Sequence, residues 1–455
     1  MYDIVFLGGG PAGYEGAIYS SKMGFKTAVV EKDKLGGTCL QRGCVPTKAL
    51  LHMVKGIKII KNISKYGIRI DNYEIDIEYI KKYKNRVVGK LTKGIEFLFK
   101  KNNIDLISGE GKVINKNTIL INNEKEIKAK YIVVSTGSKP AELPFLKIDN
   151  QKVMDSTKAL EIEVIPENML VIGAGAVGLE IGLIYSYLGS KVDVVEIMDD
   201  ILPGSDRELT SILKTELKKQ KLNIMTSTKM TKVEEGEKLK VLFKNEKGEF
   251  ENEYDLILLS AGRTPNTKGI FDESLTDIKI DKRGFIGVNK NLQTGIDNIF
   301  SCGDVVGAPL LAHKASHQAI AIVDFIKNNK EIDLKPIPAV VFTFPEFATI
   351  GFTEERAKEE NIDYKVGKFP YSAGSRSNAI DQKQGLVKVI ADKNNNIIGA
   401  HIVGEDSGEL ISVFSIAMAN GVKLDNIKEV VFSHPTLSEN LWEACGEASD
   451  FSIHI

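Results

Sequence analysis

Asp3-Ile4-Val5-Phe6-Leu7-Gly8-Gly9-Gly10-Pro11-Ala12-Gly13 opens the chain with an apolar strand that runs straight into a G-x-G-x-x-G turn. The stretch that follows, to about Met23, has the spacing of an amphipathic helix, and Thr27 to Glu31 reads as the next strand. Glu31 lies eighteen residues beyond Gly13, close to the spacing at which a carboxylate meets a ribose hydroxyl. Glycines here let the backbone approach a pyrophosphate, and the helix N-terminus favours its negative charge. A lone glycine turn is weak and often only a tight turn; strand, helix and terminal acid in register point to a dinucleotide-binding βαβ unit.

The pattern then recurs. Met169 to Ile172 is a strand, Gly173-Ala174-Gly175-Ala176-Val177-Gly178 the turn, a helix runs to about Leu188, and Val192 to Glu196 answers it. Glu196 again stands eighteen residues past the last glycine. Two units with matched spacing imply two bound nucleotides. Each unit also has an exit: the strand Tyr131 to Ser135 enters Thr136-Gly137-Ser138, and the strand Tyr254 to Leu259 enters the turn Ser260 to Asn266. A carboxylate at Glu196, followed by Asp199 and Asp200 with no arginine before Arg207, accepts from a free 2′-hydroxyl and repels a 2′-phosphate. The expectation is NAD rather than NADP.

Between the two units lies Leu35-Gly36-Gly37-Thr38-Cys39-Leu40-Gln41-Arg42-Gly43-Cys44-Val45-Pro46-Thr47-Lys48. In a regular helix, Cα atoms five residues apart are roughly 8 to 9 Å from each other, whereas a disulfide tolerates about 7 Å. Joining Cys39 to Cys44 therefore needs a broken backbone, for which Gly43 provides the freedom and Pro46 suits a first helical turn. That places Cys44 at a helix N-terminus, where a thiolate is favoured. The competing readings are a buried thiol pair or half of a metal site, but Cys302 and Cys445 stand alone without a CxxC or HxxxH pattern. Cys302, in the strand before Gly303-Asp304, reads as a small buried filler.

Residues 55–100 show helical spacing, with Ile57, Ile60, Ile80 and Tyr83 as a core stripe and lysines as a solvated face. Ile119 to Ile121 reads as sheet. From about Lys335 short alternating strands appear at Ala339 to Phe344, Tyr364 to Pro370, Gly385 to Asp392 and Ile397 to Val403, followed by a helix near Leu410 to Asn420. The asparagines 394–396 mark a hairpin turn, and the whole reads as an α+β domain.

The 455 residues suggest about three domains. Lys plus Arg, 60, nearly cancels Asp plus Glu, 61, which argues against nucleic acid and anionic membranes as partners. Four cysteines are too few for a disulfide scaffold, and no apolar run reaches 18 residues; the expectation is a cytoplasmic protein.

In order along the chain, Gly8-Gly10-Gly13, Gly36-Gly37-Thr38-Cys39 with Cys44-Val45-Pro46-Thr47-Lys48, the second glycine unit, Ile299 to Asp304, and His434-Pro435-Thr436-Leu437-Ser438-Glu439 resemble the flavin-dependent pyridine nucleotide-disulfide oxidoreductases. The resemblance covers essentially the whole chain. It implies an α/β fold with two Rossmann-like domains, for FAD (1–142 and 266–334) and NAD (143–265), and a C-terminal α+β dimerisation domain (335–455). FAD would lie on Gly8, Gly10, Gly13 and Glu31, with Gly111, Thr136, Gly137, Asp304 and Ala312, and a helix starting near Leu311 to His313 would aim N–H groups at the flavin. NAD would lie on Gly173, Gly175, Gly178, Glu196 and Gly262. Lys48 and Glu180 match a pair beside the flavin, and Cys39 and Cys44 the redox disulfide, Cys39 being the sulfur that exchanges with substrate.

His434 would be the general base, since imidazole titrates in the working range, with Glu439 orienting it. In isolation the same residues read as the start of a helix after Pro435. The resemblance makes the active unit a homodimer in which His434 and Glu439 serve the other subunit's disulfide. No metal is implied. The Cys44 to Leu51 wording and Glu196 look most like the branch that oxidises dihydrolipoamide with NAD, whose partner is a lipoyl-bearing acyltransferase or glycine-cleavage carrier protein. A reductase for glutathione, a metal ion or a quinone is the alternative, and a non-catalytic subunit is disfavoured because all four reactive residues are present. Gln41-Arg42 departs from the Asn-Val usual before the second cysteine, and Arg42 is expected to tune the thiolate or the substrate preference.

Overall fold

In the computed structural model, which describes residues 1–455, the opening strand Tyr2–Leu7 sits at the centre of a parallel sheet. Its neighbours are Thr27–Glu31 on one side, followed by Asp105–Ser108, and Lys125–Val134 on the other, followed by Ile299–Ser301. These strands are nearly continuous apolar runs because both faces are covered: Ile4, Phe6 and Val29 pack on the helices Pro11–Lys22 and Ala312–Asn328, and Val5, Leu7 and Val30 pack on Val113, Ile119 and Ile121 of antiparallel strands. The second unit repeats the plan. Asn168–Ile172 is central, Lys191–Val195 and Leu222–Met225 lie on one side, Leu256–Leu259 and Val153–Met154 on the other, all parallel.

Each parallel sheet has a three-stranded antiparallel companion. In the first unit this is Gly111–Asn115, Thr118–Ile121 and the beginning of Lys125–Val134; in the second it is Lys229–Glu234, Leu239–Asn245 and Gly248–Tyr254. The crossover from the second to the third parallel strand occupies residues 196–221 in the second unit but 32–104 in the first. The longer crossover holds the cysteine segment and the helix Ile77–Lys101. The two exits pair with each other: Ser138–Pro140 runs antiparallel to Arg263–Pro265, stitching the units together.

A third sheet of five antiparallel strands follows, in the order Ala339–Val341, Glu346–Gly351, Ile397–Gly404, Leu386–Asp392, Tyr364–Pro370. Alternation splits its faces. Ala348, Ile350, Val387, Val389, Ala400 and Ile402 pack against the helices Ser407–Ala419 and Glu439–Ala448, while Phe347, Leu386 and Val403 join a core shared with the second nucleotide unit. That shared core also takes Leu50, Leu51, Val54 and Ile57 from the cysteine helix, so the redox segment is packed where the units meet.

Several expectations are corrected. The stretch Tyr254 to Leu259 is two strands, because Asp255 turns back to accept from the Asn168 N–H at 2.8 Å and separates an antiparallel strand from a parallel one. The strand at Ala339 stops at Val341, since the Phe342 N–H is given to Glu180. Cys302 follows its strand rather than lying inside it, although it is fully buried. Lys84 is not on a solvated face: it is 2% exposed, with Nζ 2.9 Å from both the Leu160 carbonyl and Glu161. No helix is long and apolar enough to cross a membrane.

Candidate redox site

The two glycine turns are built alike. Gly8 has φ of 109°, a left-handed conformation that disfavours a side chain, and a Cβ on Gly13 would overlap the Gly8 carbonyl oxygen. Gly173 and Gly178 repeat this relation. The helices Pro11–Lys22 and Ala176–Leu188 start at Gly10 and Gly175 without a side-chain cap, leaving first-turn N–H groups free for an anion. The terminal acids fold onto their own turns. Glu31 accepts from the Gly9 N–H at 2.6 Å, and Glu196 accepts from the Ala174 N–H at 2.8 Å, so each carboxylate is held beside its turn.

The cysteine segment breaks at Gly43. One helix, Gly37–Arg42, ends there and a second, Cys44–Asn62, begins at Cys44, which puts that sulfur at a helix N-terminus as expected. Both cysteines are free thiols. Cys44 is open to solvent in the cleft, and its thiol is pulled down to about 7, first by a hydrogen bond from Cys39 and then by the Lys48 ammonium. Cys39 is pushed up by that same bond and by burial. When the pair carries a single proton, that proton sits on Cys39 and the thiolate is Cys44. Arg42, on the cleft wall, is ion-paired with Asp33, and Lys48 is the cation that pulls Cys44 down.

Lys48, one turn after Cys44, bonds Glu180 of the second unit at 2.7 Å. Glu180 is 4% exposed; its other oxygen accepts from the Phe342 N–H at 2.9 Å, and the Lys48 ammonium sits 4.6 Å from the centre of the Phe342 ring. Three units thus meet at one ion pair.

A cleft of about 1860 Å³ runs past these groups. Gly8, Gly10, Glu31, Cys39, Cys44, Lys48, Thr136, Gly137, Glu180, Asp304 and Ala312 line it. The helix Ala312–Asn328 starts at the expected place, and its N-cap Leu311 provides no side-chain bond, so its first N–H groups are free at the cleft wall. A cleft of this volume, lined by an uncapped glycine turn, a second uncapped helix start and both cysteines, fits FAD. Gly173, Gly175, Gly178, Glu196 and Gly262 do not line this cleft, as is consistent with a separate seat on the second unit.

Gly111 is not part of the lining. It is buried on the antiparallel companion, where a Cβ would meet Leu7 at 2.5 Å, so its missing side chain serves packing. Arg263 is a cleft residue that the sequence reading passed over. Its Nε donates to Ser138 Oγ and a terminal nitrogen to the Ser138 carbonyl, both at 2.6 Å, and it lies 4.0 Å from Asp304. The only signal was that the exit turn carrying it mirrors the first unit's exit.

His434 and Glu439 lie elsewhere, on the third domain and outside the cleft lining. His434 Nδ1 is 2.8 Å from Glu439, whose other oxygen accepts from the Thr436 N–H at 2.7 Å. With Nδ1 donating, Nε2 is left to accept a proton, and the imidazole is 68% exposed. The helix starts at Glu439 itself rather than after Pro435. His454, which has no sequence motif around it, forms a second such pair one turn further along, 2.6 Å from the buried Glu443.

Two nucleotide seats flanking a dithiol whose one sulfur is activated define a nucleotide-dependent thiol–disulfide oxidoreductase. Residues 2–319 match the pyridine nucleotide-disulphide oxidoreductase family and residues 337–445 its dimerisation domain, and the chain belongs to this family. It is 41% identical to dihydrolipoyl dehydrogenase 1, mitochondrial, of Arabidopsis thaliana, over 100% of this chain and 91% of the relative. Dihydrolipoyl dehydrogenase of Vibrio parahaemolyticus is 39% identical over 96% of this chain and 94% of its own. Leghemoglobin reductase of Glycine max is 38% identical over 97% and 86%. Among solved structures, the HOCl-induced flavoprotein disulfide reductase RclA of Escherichia coli superposes with a TM-score of 0.86 at 27% identity, covering 98% of this chain and 99% of that one. The chain is an oxidoreductase that uses FAD and NAD, and it pairs with a second copy through its dimerisation domain.

The thiolate assignment gives a pH prediction. In reduced protein, alkylation of Cys44 by iodoacetamide should rise with a midpoint near pH 7. Because the group is depressed, the reactive form is present above that pH and lost below it. Cys39→Ala removes the hydrogen-bond donor and should move the midpoint upward. A wild-type midpoint at about 8.5, the value of a free thiol, would contradict the assignment.

Proposed function

We infer that this protein oxidises dihydrolipoyl groups to lipoyl disulfides and delivers the electrons to NAD. The observation that carries this reading is the Cys39–Cys44 pair set against the Lys48–Glu180 ion pair in the FAD-sized cleft.

In the oxidised enzyme, Cys39 and Cys44 form a disulfide. A substrate thiol yields its proton to Nε2 of His434, and its sulfur attacks Cys39, releasing Cys44 as the thiolate that the site is built to hold. The second substrate thiol then displaces Cys39, closing the lipoyl disulfide and leaving the enzyme pair with one proton and one thiolate. Bound FAD, which Gly8, Gly10, Glu31 and Asp304 would hold in the cleft, would supply the two-electron relay between this dithiol and NAD. Lys48, fixed by Glu180, holds positive charge beside Cys44, and the free N–H groups of Ala312–Asn328 face the cleft from the other side. His434 and Glu439 serve the cysteines of the second copy, which explains why they stand apart from the cleft of their own chain.

The substrate is a lipoyl arm on a partner, a dihydrolipoyl acyltransferase or a glycine-cleavage carrier protein, and the setting is the cytoplasm. The domain limits proposed are 1–142 with 266–334, 143–265 and 335–455; in support, four of the five sheets fall within one unit each, and only the pairing of Ser138–Pro140 with Arg263–Pro265 crosses a limit. A second reading, a related disulfide reductase with another acceptor, draws support from the similarity to the Escherichia coli flavoprotein.

Steady-state NAD reduction by dihydrolipoamide, measured beside NADPH oxidation by oxidised glutathione, separates them. Fast NAD reduction with no glutathione activity is the expected result. A flavoprotein silent toward dihydrolipoamide would move the assignment to the second reading.

A further inference from the structure

The face of the third sheet that meets the second nucleotide unit carries a polar row. Lys368, Lys388, His401 and Thr349 stand opposite one another on four successive strands, in register. Side chains alternate along a strand, so this row shares a face with Leu386, Val403 and Phe347 and not with the helix-covered residues between them. Lys388 and His401 are 2% and 0% exposed.

Opposite the row is the start of the helix Arg207–Lys219 in the second unit. Lys388 Nζ is 2.7 Å from Asp206, which is fully buried, and 3.1 Å from Glu208; it is also paired with Glu354. Lys368 reaches Glu208 at 2.8 Å. Asp206 works in two directions, since its other oxygen caps the helix by accepting from Glu208 and Leu209 N–H groups. The helix in turn fastens the loop before it: Arg207 pairs with Asp199 at 2.8 Å, and Asp200 takes Lys214 at 2.7 Å and the Thr210 hydroxyl. That loop leads directly from Glu196.

We propose that Lys388 is a positioning residue for the nicotinamide nucleotide, holding the Glu196–Asp206 loop in place from the dimerisation domain through Asp206 and Glu208. Buried ion pairs contribute little net stability against apolar alternatives, yet they select one geometry, because any displacement strands a charge. One lysine neutralised by three carboxylates from two domains is such a selector. The inference rests on the reading that the second glycine unit binds NAD.

The test uses full-length holoenzyme. K388M should raise the Kd for NADH in a calorimetric titration, and the KM for NAD, by about tenfold, and speed hydrogen exchange in residues 196–210. Oxidation of dihydrolipoamide with ferricyanide as acceptor, which bypasses the nucleotide seat, should stay within about twofold, since Lys388 lies outside the redox cleft. K388R should restore most of the affinity. If K388M does not fold, K388M with Asp206→Asn, which keeps the cap acceptor and leaves no fully buried charge, is held to the same criteria. Unchanged NADH affinity and exchange, or an equal loss in the nucleotide and ferricyanide assays, would overturn the proposal. Wild-type enzyme that fails to bind NADH would instead overturn the nucleotide reading beneath it.

Discussion

Cys44→Ser should lower dihydrolipoamide-dependent NAD reduction by about 10³-fold or more, while the protein still binds FAD and folds with its melting temperature nearly unchanged. The loss is large because nothing else in the chain can replace that sulfur. Cys302 and Cys445 are fully buried, and burial pushes both thiols up, Cys302 to about 12. Cys39 alone has no partner with which to form the enzyme disulfide, so the substrate thiolate has no S–S bond to attack and two thiols cannot join without an oxidant. The stability effect is small because Cys44 is exposed to the cleft and not part of a core. NADH oxidation by ferricyanide, which needs no thiol, should persist in the variant. Residual dihydrolipoamide turnover above about 1% of wild type would mean that another group performs the exchange.

His434→Gln should reduce the same reaction by about 10² to 10⁴, the range by which a general base accelerates proton removal. The side chain is held only by Glu439 and is largely exposed, so the variant should fold normally. Glu439→Gln should cost less, because the imidazole remains and only its orientation and charge support are weakened. The decisive comparison is a mixed dimer of His434→Gln chains with Cys44→Ser chains. If each base serves the other copy's cysteines, one of the two sites in the mixed dimer is intact and activity returns to about half of wild type. If base and cysteines of one chain work together, both sites are broken and the mixed dimer stays inactive.

The glycine turns, their strands and their terminal acids were legible in the sequence because all of their interactions are local. Gly13 must be small because Gly8 is five residues away, and Glu31 reaches a turn within the same βαβ unit. The position of Cys44 was legible for the same reason, since Gly43 and Pro46 mark the break and the new first turn. What escaped depends on contacts between distant segments. Lys84 looks like any lysine on a charged helix until Leu160 and Glu161 close over it. Lys388 looks like a surface residue in an alternating strand, and only the arrival of the helix at Arg207 makes it buried. Arg263 and His454 have partners 125 and 11 residues away in sequence and no motif to announce them. Gly111, placed beside the cofactor by resemblance, also has a packing reason to be small that the sequence could not show: Leu7 and Val30 press against it.

The two nucleotide units share the order of four parallel strands, an antiparallel companion sheet, and an acid bonded to the second residue of its turn. They differ in the crossover after the second strand, which is short in one and long in the other, and the long one carries both cysteines. One unit is thus a plain nucleotide carrier, and the other is a carrier with a thiol device housed in a single loop. Lys48, inside that loop, and Glu180, inside the plain carrier, are the terminals through which the device is wired across to the second unit.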